Sequence, residues 1–234
     1  MKIGIITAMS MEQKQVLQML QNKKEHKQGP FEFVEGELSG GNQAVLMQCG
    51  IGKVNAAAGT VELIRTFHPD CIISTGVAGG IDAALKVMDV VASERIVYHD
   101  VWCGEGNEYG QIQDLPTYFK GNTAMLNCAK ALPSNNQTTI HCGLICSGDK
   151  FSTDRSELNN IKSHFSEGLA VDMESGAIAQ VCHLYEIPFI SFRIISDTPG
   201  AEHHWEQYTN FWETIAERSF EVTHRFIESL PHEI

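Results

Sequence analysis

The chain has 234 residues, with 17 Lys and Arg against 29 Asp and Glu, a formal net charge of -12. That length reaches the upper range of one compact domain, and 43% hydrophobic residues suffice for a sizeable core. Such acidity offers no basic stripe for a nucleic-acid backbone and disfavours anionic membrane surfaces. The N-terminal MKIGIITAMSMEQ has an apolar run too short for a span and no signal-peptide pattern, so a soluble, cytoplasmic protein is expected. Cys49, Cys71, Cys103, Cys128, Cys142, Cys146 and Cys182 are odd in number, scattered and without a CxxC pair. They read as buried reduced thiols, with neither a zinc ribbon nor a redox motif.

In chain order, Lys2–Thr7 is a β-branched run read as a strand, followed by Ser10 as helix cap and a helix over Met11–Lys23. Phe31–Leu38 and Ala44–Gln48 form an expected hairpin around Gly40-Gly41. Small residues from Gly50 open a helix that runs to Phe67. Cys71–Ser74 reads as a buried strand entering a glycine-rich turn, Thr75–Gly80. Strands are expected at Val90–Val97 and Thr138–Cys146, with a helix near Asn122–Leu132 between them. Leu169–Asp172 and Pro188–Ser196 are short apolar strands flanking a helix from Glu174 to about Tyr185. One long helix, Trp205–Leu230, closes the chain, with Phe211, Ile215, Val222, Phe226 and Leu230 as its apolar stripe. Strands alternating with helices, without linker or repeat, indicate one α/β domain over residues 1–234 with helices covering a central sheet.

Four features carry possible chemistry. The glycines after Cys71–Ser74 either let a ligand approach the backbone or serve packing alone, and they match neither GxGxxG nor a P-loop. Glu174, at a strand-to-helix junction, faces the ligand crevice of an α/β sheet or merely complements a helix N-terminus. Asp197 before Pro199-Gly200 reads alone as a turn residue, and Glu12 alone as a solvated first-turn acid. Their shared position just beyond strand ends changes that reading. Carboxylates gathered at one crevice are what glycosidic hydrolysis uses, one protonating the leaving group and another activating water. Asp172, two residues before Glu174, need not share its function. Adjacent His203 and His204, with His99, lack metal-ligand spacing. Ser74, Ser152 and Cys146 lack a nucleophile elbow.

The segments MKIGIITAM with Glu12, GIGKVNAA at 50–57, STGVAGGID at 74–82 and EYGQ at 108–111 continue into SGDKF at 147–151, AVDMESGAIAQVC at 170–182 and RIISD at 193–197. With these, in order over nearly the whole chain, the sequence resembles the 5′-methylthioadenosine/S-adenosylhomocysteine nucleosidases of the purine nucleoside phosphorylase and uridine phosphorylase superfamily. The resemblance implies a three-layer α/β/α fold with a mixed sheet, usually a homodimer, and hydrolysis of thio-ribosyl adenines without metal or cofactor. It implies Asp197 as the general acid at adenine N7, Glu12 as activator of water, and Glu174 as partner of the ribose hydroxyls beside Met173. Phe151 would stack on adenine, with the Ser152 backbone reading its edge. Met9, Ile51, Val77, Ala78, Gly79, Arg193 and Ser196 would line the pocket.

Three places depart from the family pattern. Val77 stands where many members carry Ser, Ser152 replaces an aliphatic residue, and VWCGEGNEYGQ is more polar than the loop that usually closes the partner's 5′ pocket. Trp102, Trp205, Tyr208 and Phe211 all compete for that closing role. An acid that stays protonated near neutrality needs surroundings that raise its pKa. Related possibilities are a nucleosidase for another 5′-modified nucleoside, such as an aminodeoxyfutalosine-type substrate, and a phosphate-dependent phosphorylase. The latter would use arginines, and Arg65 is the sole Arg between Met1 and Phe67. A non-catalytic nucleoside-binding protein would be expected to have lost some of the three acids.

Overall fold

A computed structural model describes residues 1–134, 138–199 and 203–234, apart from the side chains of His204, Thr214, Ile215 and Arg218. The elements are β1 Lys2–Thr7, α1 Ser10–Leu17, β2 Gln21–Gln28, β3 Phe31–Glu37, β4 Gln43–Gln48, α2 Lys53–Phe67, β5 Cys71–Gly80, β6 Val90–Tyr98 and β7 Phe119–Lys120. They continue with α3 Thr123–Ala131, β8 Ile140–Ser147, α4 Arg155–His164, β9 Gly168–Asp172, α5 Ser175–Leu184, β10 Phe189–Asp197, α6 His204–Asn210, a π-helical turn at Phe211–Ile215, and α7 Ala216–Glu228.

All ten strands join one mixed sheet. Alternation along the strands supplies its two faces. Ile6, Ile72 and Ile195 pack with Ala56, Leu63 and Ile64 of α2 and Ala177, Ile178 and Val181 of α5. Ile3, Ile5, Ile73, Ile190 and Phe192 meet Val16 of α1, Met125 of α3 and Phe220 and Phe226 of α7 on the other face. The rings of Phe192 and Phe226 stack with centroids 4.4 Å apart. The mixed sheet with flanking helices is therefore as expected. The strands also curl: β5 pairs with β10 and β9, β10 with β6, β6 with β8, and β8 with β9, closing a five-stranded ring.

Several boundaries differ from the reading above. Helix α1 stops at Leu17, and the exposed, polar Gln21–Gln28 is an edge strand paired antiparallel to β3. The supposed glycine turn Thr75–Gly80 is the second half of β5, paired through Gly79. Asn122 caps α3 by accepting from the Met125 N–H, and Asp154 caps the unanticipated α4 through the Glu157 N–H. The C-terminal helix is interrupted by its π-turn; the Ile215 side chain of the expected stripe lies outside the described residues. Cys49, Cys71, Cys146 and Cys182 are buried free thiols, whereas Cys128 and Cys142 are only half-buried and Cys103 is exposed. Among the described residues, no helix is long and apolar enough to cross a membrane.

Candidate active site

Parallel strands β1, β5 and β10 bring their C-terminal ends to one side of the sheet. Strand β9 runs antiparallel to β5 but pairs with it only at Gly79 and Gly80, where the two strands approach their own ends. The same region therefore receives Glu12 from α1, Glu174 from the start of α5 and Asp197 from β10. A cleft open to solvent lies there. Its walls include Met9, Glu12, Ile51, Val77, Ala78, Gly79, Phe151, Ser152, Met173, Glu174, Ser196 and Asp197. These are all the expected site residues except one.

The exception is Arg193, which lies behind the wall rather than in it. Strand β10 is buried along its whole length, and Arg193 is only 1% exposed. Its Nη2 donates to Asp172 Oδ2 and Ser74 Oγ, each at 2.8 Å, and to Ser175 Oγ at 3.2 Å; Nε donates to Ser191 Oγ at 3.2 Å. Glu174 Oε2 lies 3.9 Å from the same Nη2. Gly76 makes the neighbouring approach possible: a Cβ there would fall 2.3 Å from Glu12 Oε1 and 2.8 Å from Arg193 Nη1.

Glu12 is 1% exposed and far from a solvated first-turn acid. Its Oε2 accepts from the N–H groups of Ala8 and Met9 at 2.9 and 3.0 Å, and Oε1 accepts from Val77 N–H at 2.9 Å. Burial nevertheless raises its pKa above the usual value, opposed by Arg193 and these three donors. Glu174 does not cap α5 with its side chain; Oε1 accepts from Gly52 N–H at 2.9 Å across the cleft. Burial lifts its pKa to about 7, with Arg193 pulling down and Asp172 pushing up. Asp172 meets the α5 N-terminus instead, accepting from Ser175 N–H at 3.2 Å and from the Ser175 hydroxyl. Arg193 itself stays protonated, because Asp172, Glu174 and Glu12 more than offset the cost of burial.

Asp197 is buried at the end of β10 and accepts from Ser196 Oγ at 2.7 Å. A register shift between Ile195 and Asp197 re-aims this strand end, a familiar use of a β-bulge beside a site. At the mouth, Phe151 is 44% exposed and meets Trp205 and Tyr208 edge-on at 6.0 and 5.7 Å. Of the competing aromatics, Tyr208 lines the cleft, with its hydroxyl 3.8 Å from Met9 Sδ. Phe211 is wholly buried in the core, and neither Trp102 nor Trp205 lines the cleft. Ala8, Lys150, Val171, Asp172 and Pro199 also line the cleft, beyond the residues expected from the sequence. The signal for Asp172 was present, since it ends a strand just as Asp197 does. Lys150 is ion-paired with Glu157. The Ser152 hydroxyl is buried without a hydrogen-bond partner among the described residues. Of the three histidines considered together, His99 is buried, His203 is exposed, and the His204 side chain lies outside the described residues.

Residues 2–228 match the model of the phosphorylase superfamily. A 5′-methylthioadenosine/S-adenosylhomocysteine nucleosidase of Actinobacillus succinogenes is 41% identical over 203 residues, 86% of this chain and 88% of that protein. The chain belongs to this nucleosidase family. Among solved structures, the nucleosidase of Colwellia psychrerythraea in complex with adenine superposes with a TM-score of 0.93 at 34% identity, covering 100% of this chain and 97% of that one. The Neisseria meningitidis nucleosidase in complex with methylthio-immucillin-A gives a TM-score of 0.90 at 38% identity, covering 98% and 99%. These structures thus share nearly the whole architecture of this chain.

Proposed function

We propose that the protein hydrolyses the N-glycosidic bond of 5′-methylthioadenosine and S-adenosylhomocysteine, releasing adenine and the 5-thio-substituted ribose. The observation that carries this reading is the convergence of three buried carboxylates, Glu12, Glu174 and Asp197, on one cleft. Asp197 acts as general acid, giving its proton to adenine N7 so that the base departs neutral. As the C1′–N9 bond breaks, the ribosyl ring gains oxocarbenium character, and the buried carboxylates stabilise that positive charge. Water adds to C1′ and yields its proton to Glu12. Glu174 accepts hydrogen bonds from the ribose hydroxyls, and Phe151 stacks on the base beside the Ser152 backbone.

Water rather than phosphate fits the charges. Lys150, the cation on the cleft wall, is engaged by Glu157, and Arg193 is buried among carboxylates that would repel a phosphate. Tyr208 is the aromatic we assign to the 5′-substituent. Exposed Ile51, Val54 and Trp102 supply apolar surface for a second copy of the chain, completing the 5′ pocket of a homodimer. Residues 1–234 act in this reading as one domain. A panel of 5′-substituted adenosines with free adenine as readout tests the assignment. Methylthio and homocysteinyl substrates should lead; release from neither would refute it.

A further inference from the structure

Asp172 and Glu174 leave the end of β9 two residues apart and arrive at the same guanidinium, on unequal terms. Asp172 Oδ2 stands 2.8 Å from Arg193 Nη2, whereas Glu174 Oε2 stands 3.9 Å away, beyond hydrogen-bond distance. The Nη2 protons are already directed at Asp172 and Ser74. Asp172 is fixed in turn by the Ser175 hydroxyl and N–H, and Ser175 Oγ lies 2.6 Å from Ser191 Oγ. Glu174 is held on its other side by Gly52 N–H at Oε1, and no described residue donates to Oε2.

We propose that Asp172 is a positioning residue: it occupies the Arg193 guanidinium and so leaves Glu174 Oε2 to the substrate's ribose hydroxyls. The inference rests on the reading of Glu174 given above. Without the carboxylate at 172, the nearest remaining anion for Nη2 is Glu174, which the guanidinium would draw out of line. Arg193 would then swing off the edge it presents beside Gly76 and Glu12. Asp172 acts on the sugar half of the substrate and has no part in holding the base.

The test is Asp172→Asn, nearly isosteric and still able to accept one hydrogen bond. Its kcat/KM for methylthioadenosine should fall about 10- to 100-fold, the usual weight of a charge-assisted hydrogen bond. Binding of free adenine, which has no ribose, should stay within about twofold of wild type, since it bypasses Glu174. The acidic limb of the pH profile should also move down. Glu174 faces Arg193 on β10, Asp172 on β9, Glu12 on α1, the Gly52 N–H before α2, and the Cys49 thiol, pushed up to about 12 and therefore neutral. Of these, the variant removes one anion and brings the cation nearer. Equal losses for methylthioadenosine and adenine would overturn the proposal, as would an unchanged kcat/KM. Asp172→Glu keeps the charge and serves if the Asn variant does not fold. It should retain kcat/KM within about tenfold, and a greater loss overturns the proposal. Wild-type protein in the same assay separates the two claims: no adenine released by wild type refutes the hydrolase reading itself.

Discussion

Replacing Arg193 by Met removes the cation buried behind the cleft among the site's acids and leaves the wall itself in place. At an effective dielectric near 20, the gross attraction is about 6 kcal/mol at 2.8 Å to Asp172 and about 4 kcal/mol at 3.9 Å to Glu174. Most of that offsets the desolvation of the same charges. Removing one partner of a buried pair nets a loss of about 3–5 kcal/mol. For a chain of this size the midpoint of thermal unfolding should drop by about 6–20 °C at pH 7.5. The sign of the pH dependence follows from Glu174, whose folded pKa of about 7 lies above its ordinary value. Such a carboxyl binds more protons when folded, so its unfavourable contribution is complete above the folded pKa and disappears toward the unfolded one. Without Arg193 the folded value rises further. The two folded proteins differ in proton uptake only above about pH 7, so the deficit of Arg193→Met should be larger at pH 9 than at pH 6. Differential scanning calorimetry at both pH values decides it. A deficit that is absent, or equal at the two pH values, would refute the electrostatic account of this site.

Three further outcomes are expected. Wild-type kcat/KM for methylthioadenosine should decline below about pH 7 as Glu174 takes up a proton, and Glu174→Gln should be slower and lack that limb; an unchanged limb in the variant would assign it elsewhere. Gly76→Ala places a Cβ against Glu12 Oε1 and Arg193 Nη1, so kcat should fall about 100-fold through displacement of the water-activating acid, and a near-normal kcat would contradict that placement. Tyr208→Ala should raise KM for methylthioadenosine about tenfold while adenine affinity holds; a parallel loss of adenine affinity would remove Tyr208 from the 5′ side.

What could be read from the chain was set by local patterning. Strands β1, β9 and β10 are short, largely apolar runs, and an acid closes or follows each, so the three carboxylates are legible in the sequence. Strand β2 escaped because Gln21–Gln28 is exposed and polar; only pairing with β3 makes it a strand. Thr75–Gly80 looked like a turn because glycine usually interrupts strands. Here the missing side chains admit Glu12 at Gly76 and Pro199 at Gly79, a demand that exists only after folding. Arg193 was expected in the pocket wall because its strand leads to Asp197. Its length and alternation instead carry it beneath the wall, where Asp172 receives it. Ring closure of the sheet likewise depends on β10 pairing with both β5 and β6, which no single segment encodes.

The acid assignment itself predicts that Asp197→Asn loses adenine release at neutral pH while still binding methylthioadenosine. The most direct test of the whole account is to supply wild-type protein with methylthioadenosine in buffer free of phosphate and follow adenine and the sugar product. The account predicts adenine and free methylthioribose in equal amounts, at a rate that added phosphate leaves unchanged. Adenine appearing only with phosphate, accompanied by a sugar 1-phosphate, would contradict it.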